Sequence, residues 1–233
     1  MTGPPVSLLD AIRTLQFGDS ALPIGAFSFS GGLESAVAEG WVADADHLEQ
    51  FVRTARRQGA AGDGVALLAA HRATTDGDLA TVLDADAAVF ERKLNDEARE
   101  ASVRMGRKLG EVAVPLTDSA LASKWLDAVQ GRETPGTFPV GLGVLFAAMG
   151  ADEPSAFAVH QYGISSAITG AALRIMRVDH GQTQAILYRV NADIDDEYSD
   201  ASRRDIEEMS SFAPQIDVLS ALHVRAHVRL FMS

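Results

Sequence analysis

The sequence contains no cysteine, and this absence removes several kinds of chemistry at once. Disulfide bonds, thiolate metal sites and cysteine nucleophiles are excluded, because each of them needs a thiol. Disulfide frameworks are typical of small secreted domains, so nothing here supports secretion. Stability must come from a hydrophobic core, and 47% hydrophobic residues in a chain of 233 supply enough apolar material for one.

Aromatic residues are also scarce, at 6% of the chain. Alanine and leucine dominate the apolar residues and β-branched runs are few, a composition that favours helices over sheets. Apolar residues recur at helical spacing, and the breaks between these segments are short. We therefore expect an all-α fold in which residues 1–233 form a single compact domain of about ten helices.

Positive charge is outnumbered, because 20 Lys and Arg face 32 Asp and Glu to give a formal charge of −12. Such a surface repels nucleic acid. No apolar run reaches the ~20 residues that a membrane-spanning helix needs. The N-terminus also lacks the basic start and the apolar run of a signal peptide. These features predict a cytoplasmic protein that binds neither nucleic acid nor membrane.

The apolar periodicity predicts where the helices lie, and Gly59 is expected to end the first of them. The segment 155–177 is apolar or small on nearly every side, which predicts a largely buried central helix. The acidic segment 191–205 predicts an exposed connection or the start of a mobile helix. The predicted helices are 44–58, 62–74, 78–92, 94–113, 119–130, 138–149, 154–177 and about 216–230.

Small residues within two of these helices predict close packing between backbones. Gly141 and Gly143 interrupt the helix at 138–149, and a second set lies in the central helix. A glycine inside a helix costs about 1 kcal/mol in intrinsic propensity relative to alanine, so a packing role is the simplest explanation. The second set comprises Gly163, Ala167, Gly170 and Ala171.

The most suggestive metal-ligand spacing is His223 and His227, four residues apart on one face of a predicted helix. The glutamate of a metalloprotease motif is missing between them, so surface or interface histidines are the preferred interpretation. A metal enzyme built on these two histidines remains an alternative. Other acidic groups are predicted to be helix caps or solvated side chains, namely Asp44, Asp46, Asp84, Asp86, Asp193, Asp195 and Asp196.

The stretch 20–34 resembles two catalytic motifs only superficially. Gly25, Gly31 and Gly32 lack the lysine and the Ser/Thr that follow them in a phosphate-binding loop. Ser28 and Ser30 lack the flanking glycines of a nucleophile elbow. We interpret the stretch as a semi-rigid loop that enters a helix, with Pro23 and Gly25 shaping the turn and Glu34 in the first helical turn.

The residues of this stretch resemble the signature of the UreF family, the urease accessory protein F. They read Asp19-Ser-Ala-Leu-Pro-Ile-Gly25 and then Phe27-Ser28-x-Ser30-x-Gly32-Leu33-Glu34. Three later landmarks agree: the segment 101–107, Gly181-Gln182 with Gln184, and the terminal 229–233. The chain departs from the family in having Asp179-His180 before Gly181-Gln182 and Val224 after His223.

The resemblance implies an all-α protein that is a chaperone scaffold and not an enzyme, with no cofactor and no resident metal site. Such a protein is expected to form a homodimer and to bind the accessory protein UreD, called UreH in some systems. The pair then recruits the GTPase UreG, and the assembly delivers nickel to apo-urease when GTP is hydrolysed. A generic helical adaptor with unrelated partners remains an alternative.

The resemblance also assigns residues to these partners. The GTPase-facing set has Phe27 and Phe29 as apolar anchors and Glu34 as a polar contact, and it comprises Pro23, Gly25, Phe27, Ser28, Phe29, Gly32 and Glu34. In the set facing UreD or UreH, Gln182 is expected to lie near the interface or along a nickel passage. The other members of this set are the last five residues, Arg229, Leu230, Phe231, Met232 and Ser233.

Overall fold

A computed structural model of the chain describes residues 7–19, 21–25, 30–210, 213 and 218. Within these residues the secondary structure consists of helices and turns, with no strand, which confirms the all-α prediction. The predicted helix at 216–230 falls largely outside the described residues. The α-helices are α1 (Leu8–Gly18), α2 (Leu33–Ala38), α3 (Ala45–Gly59), α4 (Val65–Asp76), α5 (Leu79–Arg92), α6 (Asp96–Ala113), α7 (Ala120–Gln130), α8 (Phe138–Ala148), α9 (Glu153–Ile175), α10 (His180–Val190) and α11 (Ile194–Ala201).

Most of these helices begin at a polar side chain that accepts a hydrogen bond from the backbone of its own first turn. Asp44 caps α3 as predicted, whereas Asp46 lies inside the first turn. Such a cap satisfies a backbone N–H that has no partner within the helix, and is worth about 1 kcal/mol. The other capping residues are Ser7, Asp78, Asn95, Ser119, Asp152 and Asp179.

The larger hydrophobic cluster is built around α8, which packs against α4 on one side and α6 on the other. Its largest fully buried side chains include Trp125, Phe146 and Phe157. Both helix glycines of α8 lie at close contacts, as predicted. A Cβ atom at Gly141 would lie 2.9 Å from the Trp125 ring, and one at Gly143 would lie 2.4 Å from the backbone oxygen of Leu67.

We expect Gly143→Ala to destabilise the fold by about 1–3 kcal/mol, because the added methyl group meets backbone that cannot rotate away. Chemical denaturation measures the effect. Gly62→Ala is the matched control, since its nearest neighbour would lie at an ordinary contact distance of 3.8 Å. Equal stability of the two variants would contradict the tight α4–α8 contact.

Helix α9 lies at the centre of the fold and joins two hydrophobic clusters. Its first half contributes Ala156 and Phe157 to the larger cluster, and its second half contributes Ile168 to a smaller one with α2, α3 and α10. The predicted central helix is therefore confirmed. At Gly163 and Gly170 the described structure does not supply the predicted close neighbour, because a Cβ atom at either position would meet nothing within 4 Å among the described residues.

The prediction that Gly59 ends its helix is wrong. Helical geometry continues from α3 into α4 through a π-helical turn, Ala60–Gly64. In a π-helical turn the backbone hydrogen bonds join residues five apart, so the helix widens locally but is not interrupted. The side chain of Ile164 fills the place that a Cβ atom at Gly59 would occupy, and Phe157 does the same at Gly64. The role of glycine at these two positions is to allow close contact with α9, and neither residue ends a helix.

The acidic segment 191–205 is more ordered than predicted. It forms a 3₁₀ turn, Asn191–Asp193, followed by α11. The Tyr198 hydroxyl donates to a Glu153 carboxylate oxygen at 2.6 Å, and Arg72 forms an ion pair with the same carboxylate. Burial and the hydrogen bond to Glu153 raise the pKa of Tyr198 to about 12. These contacts attach α11 to α4 and α9.

Asp86 is neither a cap of its own helix nor solvated, contrary to the prediction. It is fully buried within α5 and accepts four hydrogen bonds from the connection that precedes α8. The donors are the Thr134 hydroxyl, the Gly136 and Thr137 amides and the Thr137 hydroxyl, at 2.5–2.8 Å. A buried carboxylate needs such partners, and this one fixes where α8 begins.

No described helix is both long and apolar enough to cross a membrane.

Candidate functional site

A groove of about 630 Å³ runs between α9, the π turn and the start of α6 in the described structure. We call it the central groove. Its walls are mostly apolar and carry a smaller number of polar and charged groups, as is typical of sites that bind other molecules. The lining residues include Gly31, Ala55, Gln58, Gly62, Asp63, Lys93, Asn95, Ala98, Ala101, Ser102, Met105, Phe138, Ile164, Ile168, Met209 and Ser210.

A charged cluster lies in the polar wall of the groove. The Lys93 ammonium donates to both carboxylate oxygens of Asp63, at 2.7 and 2.9 Å, and Nε2 of His160 lies 3.9 Å from the same carboxylate. Burial acts to raise the pKa of Asp63, but the Lys93 charge and the His160 ring outweigh it and hold this pKa well below its usual range. Asp63 is therefore an anion at neutral pH.

We expect Lys93→Met to lower the free energy of unfolding by about 1–3 kcal/mol at neutral pH, because Asp63 then loses its main partner. A carboxylate with a depressed folded-state pKa contributes stability above its unfolded-state pKa, for which the ordinary value is 3.8, and loses it as the pH falls further. The difference between wild type and variant should therefore shrink below about pH 4.

Denaturation curves at neutral and acidic pH test this prediction. Lys108→Met is the control, since Lys108 forms an exposed pair with Glu111 and such pairs contribute about 0–1 kcal/mol. A Lys93→Met effect that is equal at both pH values would refute the assignment to Asp63.

Two further polar atoms near the π turn are buried without a hydrogen-bond partner in the described structure, Nδ1 of His160 and Oε1 of Gln161. The His160 ring stacks on Phe138, with ring centroids 6.3 Å apart. The other end of Gln161 is engaged, because its Nε2 donates to the Arg56 carbonyl oxygen and to Glu197. Gln161 thus connects the groove wall to a second polar cluster.

That second cluster is centred on Arg56, which is 1% exposed. Its guanidinium donates to both Glu197 carboxylate oxygens, at 2.6–3.2 Å, and to the side-chain oxygen of Asn191 at 2.7 Å. A buried guanidinium is stable only when paired in this manner. The cluster fixes α11 against α3.

The structure describes four of the seven residues predicted to face a GTPase. Pro23 and Gly25 lie in an exposed turn in which Gly25 has a φ of +83°, and Gly32 precedes α2 with a φ of +84°. Glu34 is half-buried in the first turn of α2, as predicted. None of these four lines the central groove, although the neighbouring Gly31 does. Phe27, Ser28 and Phe29 lie outside the described residues.

The residues predicted to face UreD are divided in the same way. Gln182 is exposed in the first turn of α10, where its side chain accepts the Asp179 amide at 2.9 Å while Asp179 accepts the Gln182 amide at 2.8 Å. This capping box gives Gln182 a local structural role. Arg229, Leu230, Phe231, Met232 and Ser233, together with His223 and His227, lie outside the described residues. Among the residues that are described, no three histidine or carboxylate side chains form a cluster that could hold a metal ion.

Sequence reasoning missed the groove itself. Asp63, Lys93 and His160 lie on three segments far apart in the chain, and no spacing rule connects them. The one available signal was the landmark 101–107: its Ala101, Ser102 and Met105 line the groove, and its Gly106 packs directly on the backbone of Gly136 and Thr137.

Comparison with known proteins gives a consistent result. A family model named UreF matches residues 42–191. A protein of Brucella canis named urease accessory protein UreF 2 is 49% identical over 227 residues, which cover 97% of this chain and 93% of the relative. Urease accessory protein UreF 1 of Brucella melitensis is likewise 49% identical, over 97% and 94% of the two chains. Urease accessory protein UreF of Yersinia enterocolitica is 47% identical over 95% and 97%.

Proposed function

The chain belongs to the UreF family of urease accessory proteins, and on this basis we propose that it is a non-enzymatic scaffold in the maturation of urease. The observation that carries the proposal is the similarity of nearly the whole chain to proteins named urease accessory protein UreF. In this scheme the protein binds UreD, or UreH, and recruits the GTPase UreG. Nickel is the cargo that the assembly transfers to apo-urease.

The central groove supports a scaffold role because it offers a concave, mainly apolar surface with charged groups at one wall. Surfaces of this kind bind apolar anchors of other proteins, while their charges fix orientation. The Arg56 cluster fixes α11 against α3, whose Ala55 and Gln58 line the groove, and Asp86 fixes the start of α8, whose Phe138 lines it. A groove with rigid walls binds a partner at a lower entropic cost.

We propose that the 20–34 segment is part of the surface that UreG contacts. The described turns support this assignment, because Gly25 and Gly32 adopt positive φ angles that glycine tolerates without strain, and they place one turn before Phe27 and another after Phe29. Glu34 follows at the start of α2 and provides the polar contact. Ile24 is buried and ties the segment to the larger hydrophobic cluster.

Glu34→Ala is expected to weaken UreG recruitment by about ten- to a hundredfold, since a hydrogen bond to a charged group contributes roughly 1.5–3 kcal/mol. Phe27→Ala should act in the same direction by removing an apolar anchor. Calorimetry or biolayer interferometry with UreD and UreG of the same organism measures the loss. The control is Glu39→Ala, an exposed carboxylate at the other end of the same helix. If Glu34→Ala instead melts the helices, seen by circular dichroism, the residue belongs to the fold and the assignment fails.

We also propose that two copies associate through the open face of α9. Gly163 and Gly170 lie there, and a Cβ atom added at either position would meet no described atom within 4 Å; the neighbouring Tyr162 is 44% exposed. Glycines on an exposed helix face lower stability unless a second backbone approaches them. A two-fold pairing of this face would supply that neighbour.

A further inference from the structure

Arg132 has a backbone conformation that is otherwise confined to glycine among the described residues. Its φ angle is +62°, where a side chain is crowded by its own backbone. The residue ends α7 in a Schellman motif, in which the Glu133 amide donates to the Ala128 carbonyl oxygen at 2.9 Å and the Arg132 amide to the Val129 carbonyl oxygen at 3.2 Å. Glycine, or sometimes asparagine, is the usual residue at this position. Folding therefore gives no reason for an arginine here.

The connection that begins with Arg132 is held firmly at its other end. Buried Asp86 accepts four hydrogen bonds from residues 134–137, as described above. Helix α6 lies directly against the same connection, because a Cβ atom at Gly106 would be 2.3 Å from the Gly136 carbonyl oxygen. Arg132 is exposed between this fixed end and the end of α7. Its backbone position is thus set before any partner binds, which lowers the entropic cost of binding.

A second guanidinium group lies on the same connection. Arg107 of α6 donates through Nε to the Pro135 carbonyl oxygen at 3.3 Å, and its Cγ atom lies 3.3 Å from the Cβ position of Gly136. The described ion pairs of α6 involve other residues, and neither Arg107 nor Arg132 belongs to an ion pair within the described structure. Carboxylates outnumber cations in this chain, 32 to 20. Two guanidinium groups without a carboxylate of their own therefore point to carboxylates on another molecule.

We propose that Arg107 and Arg132 form a recognition surface for a carboxylate-bearing segment of a partner protein. A guanidinium group binds a carboxylate through paired N–H donors, which fixes orientation as well as charge. The net charge of −12 repels an acidic segment over most of the surface, so this surface determines where such a segment approaches. The inference rests on the function proposed above, because the segment belongs to UreD, UreG or apo-urease. The surface is separate from the segments 20–34 and 229–233.

Arg132→Asn tests the surface, because it removes the guanidinium group and leaves a residue that tolerates the left-handed conformation. We expect the midpoint of thermal unfolding to rise by about 2–4 °C, since the backbone strain is relieved. The affinity for one of the three partners should fall about tenfold. Arg132→Lys keeps the charge but not the planar fork, so its loss of affinity should be smaller. Lys124→Gln, which removes an exposed cation two turns earlier on α7, is the matched control and should change neither quantity.

Biolayer interferometry measures the affinity for UreD, for UreG in the presence of UreD, and for apo-urease in the presence of both. A selective loss in Arg132→Asn that shrinks in about 1 M salt, where the Debye length is about 3 Å, would support the surface and identify its partner. A raised unfolding midpoint with unchanged affinity for all three partners would overturn the proposal. Equal losses in Arg132→Asn and Lys124→Gln would also overturn it, because they would indicate general electrostatic attraction. If the wild-type protein binds none of the three, the proposed function itself fails.

Discussion

Replacing Arg56 with methionine is expected to lower the free energy of unfolding by about 3–5 kcal/mol, the cost of leaving one partner of a buried ion pair alone. Glu197 loses the guanidinium that both of its oxygens contact, and the side-chain oxygen of Asn191 loses its donor. Water cannot take the place of these donors, because Arg56 is 1% exposed and the Glu197 side chain 9%. Equilibrium denaturation in urea measures the loss.

Arg57→Met is the matched control, because the neighbouring Arg57 is exposed and substitution there should change stability by less than about 0.5 kcal/mol. The double variant Arg56→Met with Glu197→Leu should recover part of the loss, since no unpaired charge remains buried. A single Arg56→Met variant as stable as Arg57→Met would contradict the account of how α11 is held against α3.

Deleting residues 229–233 is expected to abolish binding to UreD and to leave a folded, soluble dimer. The family resemblance assigns this basic and aromatic segment, Arg-Leu-Phe-Met-Ser, to the surface that UreD binds. Burial of Leu230 and Phe231 against a partner would contribute roughly 1.5–3 kcal/mol for each side chain. Co-purification and calorimetry with UreD measure the effect.

A deletion of equal length at the other end, residues 1–5, is the control and should retain binding. Light scattering shows whether each truncated protein keeps its mass, and circular dichroism whether it keeps its helices. Undiminished UreD binding by the protein without residues 229–233 would refute the assignment of the chain end.

The positions of most helices followed from local signals in the sequence. Asp44 and the apolar periodicity that follows it predicted α3, because a capping carboxylate and an apolar stripe are local features of the sequence. Gly59 misled for a physical reason. From the sequence alone a glycine at this position indicates a helix end. In the structure Ile164 occupies the space of the missing side chain, and this residue is about a hundred positions away in the sequence.

The groove and its charged wall could not be predicted from local sequence patterns. Lys93 follows α5, Asp63 lies in a π turn and His160 belongs to α9, so only the packing of these helices brings them together. Asp86 illustrates the same limit, since its four donors lie about fifty residues away. The partner assignments of Gln182 and residues 229–233 came from family resemblance and remain proposals.

The central claim is that this chain is a dimeric scaffold that assembles UreD and UreG. The most direct test is size-exclusion chromatography with light scattering on the protein alone, and then on its mixture with UreD and UreG of the same organism. The account predicts a dimer that shifts to a larger three-component complex. A protein that stays at its own mass beside folded UreD and UreG would contradict it, and would favour a helical adaptor with other partners.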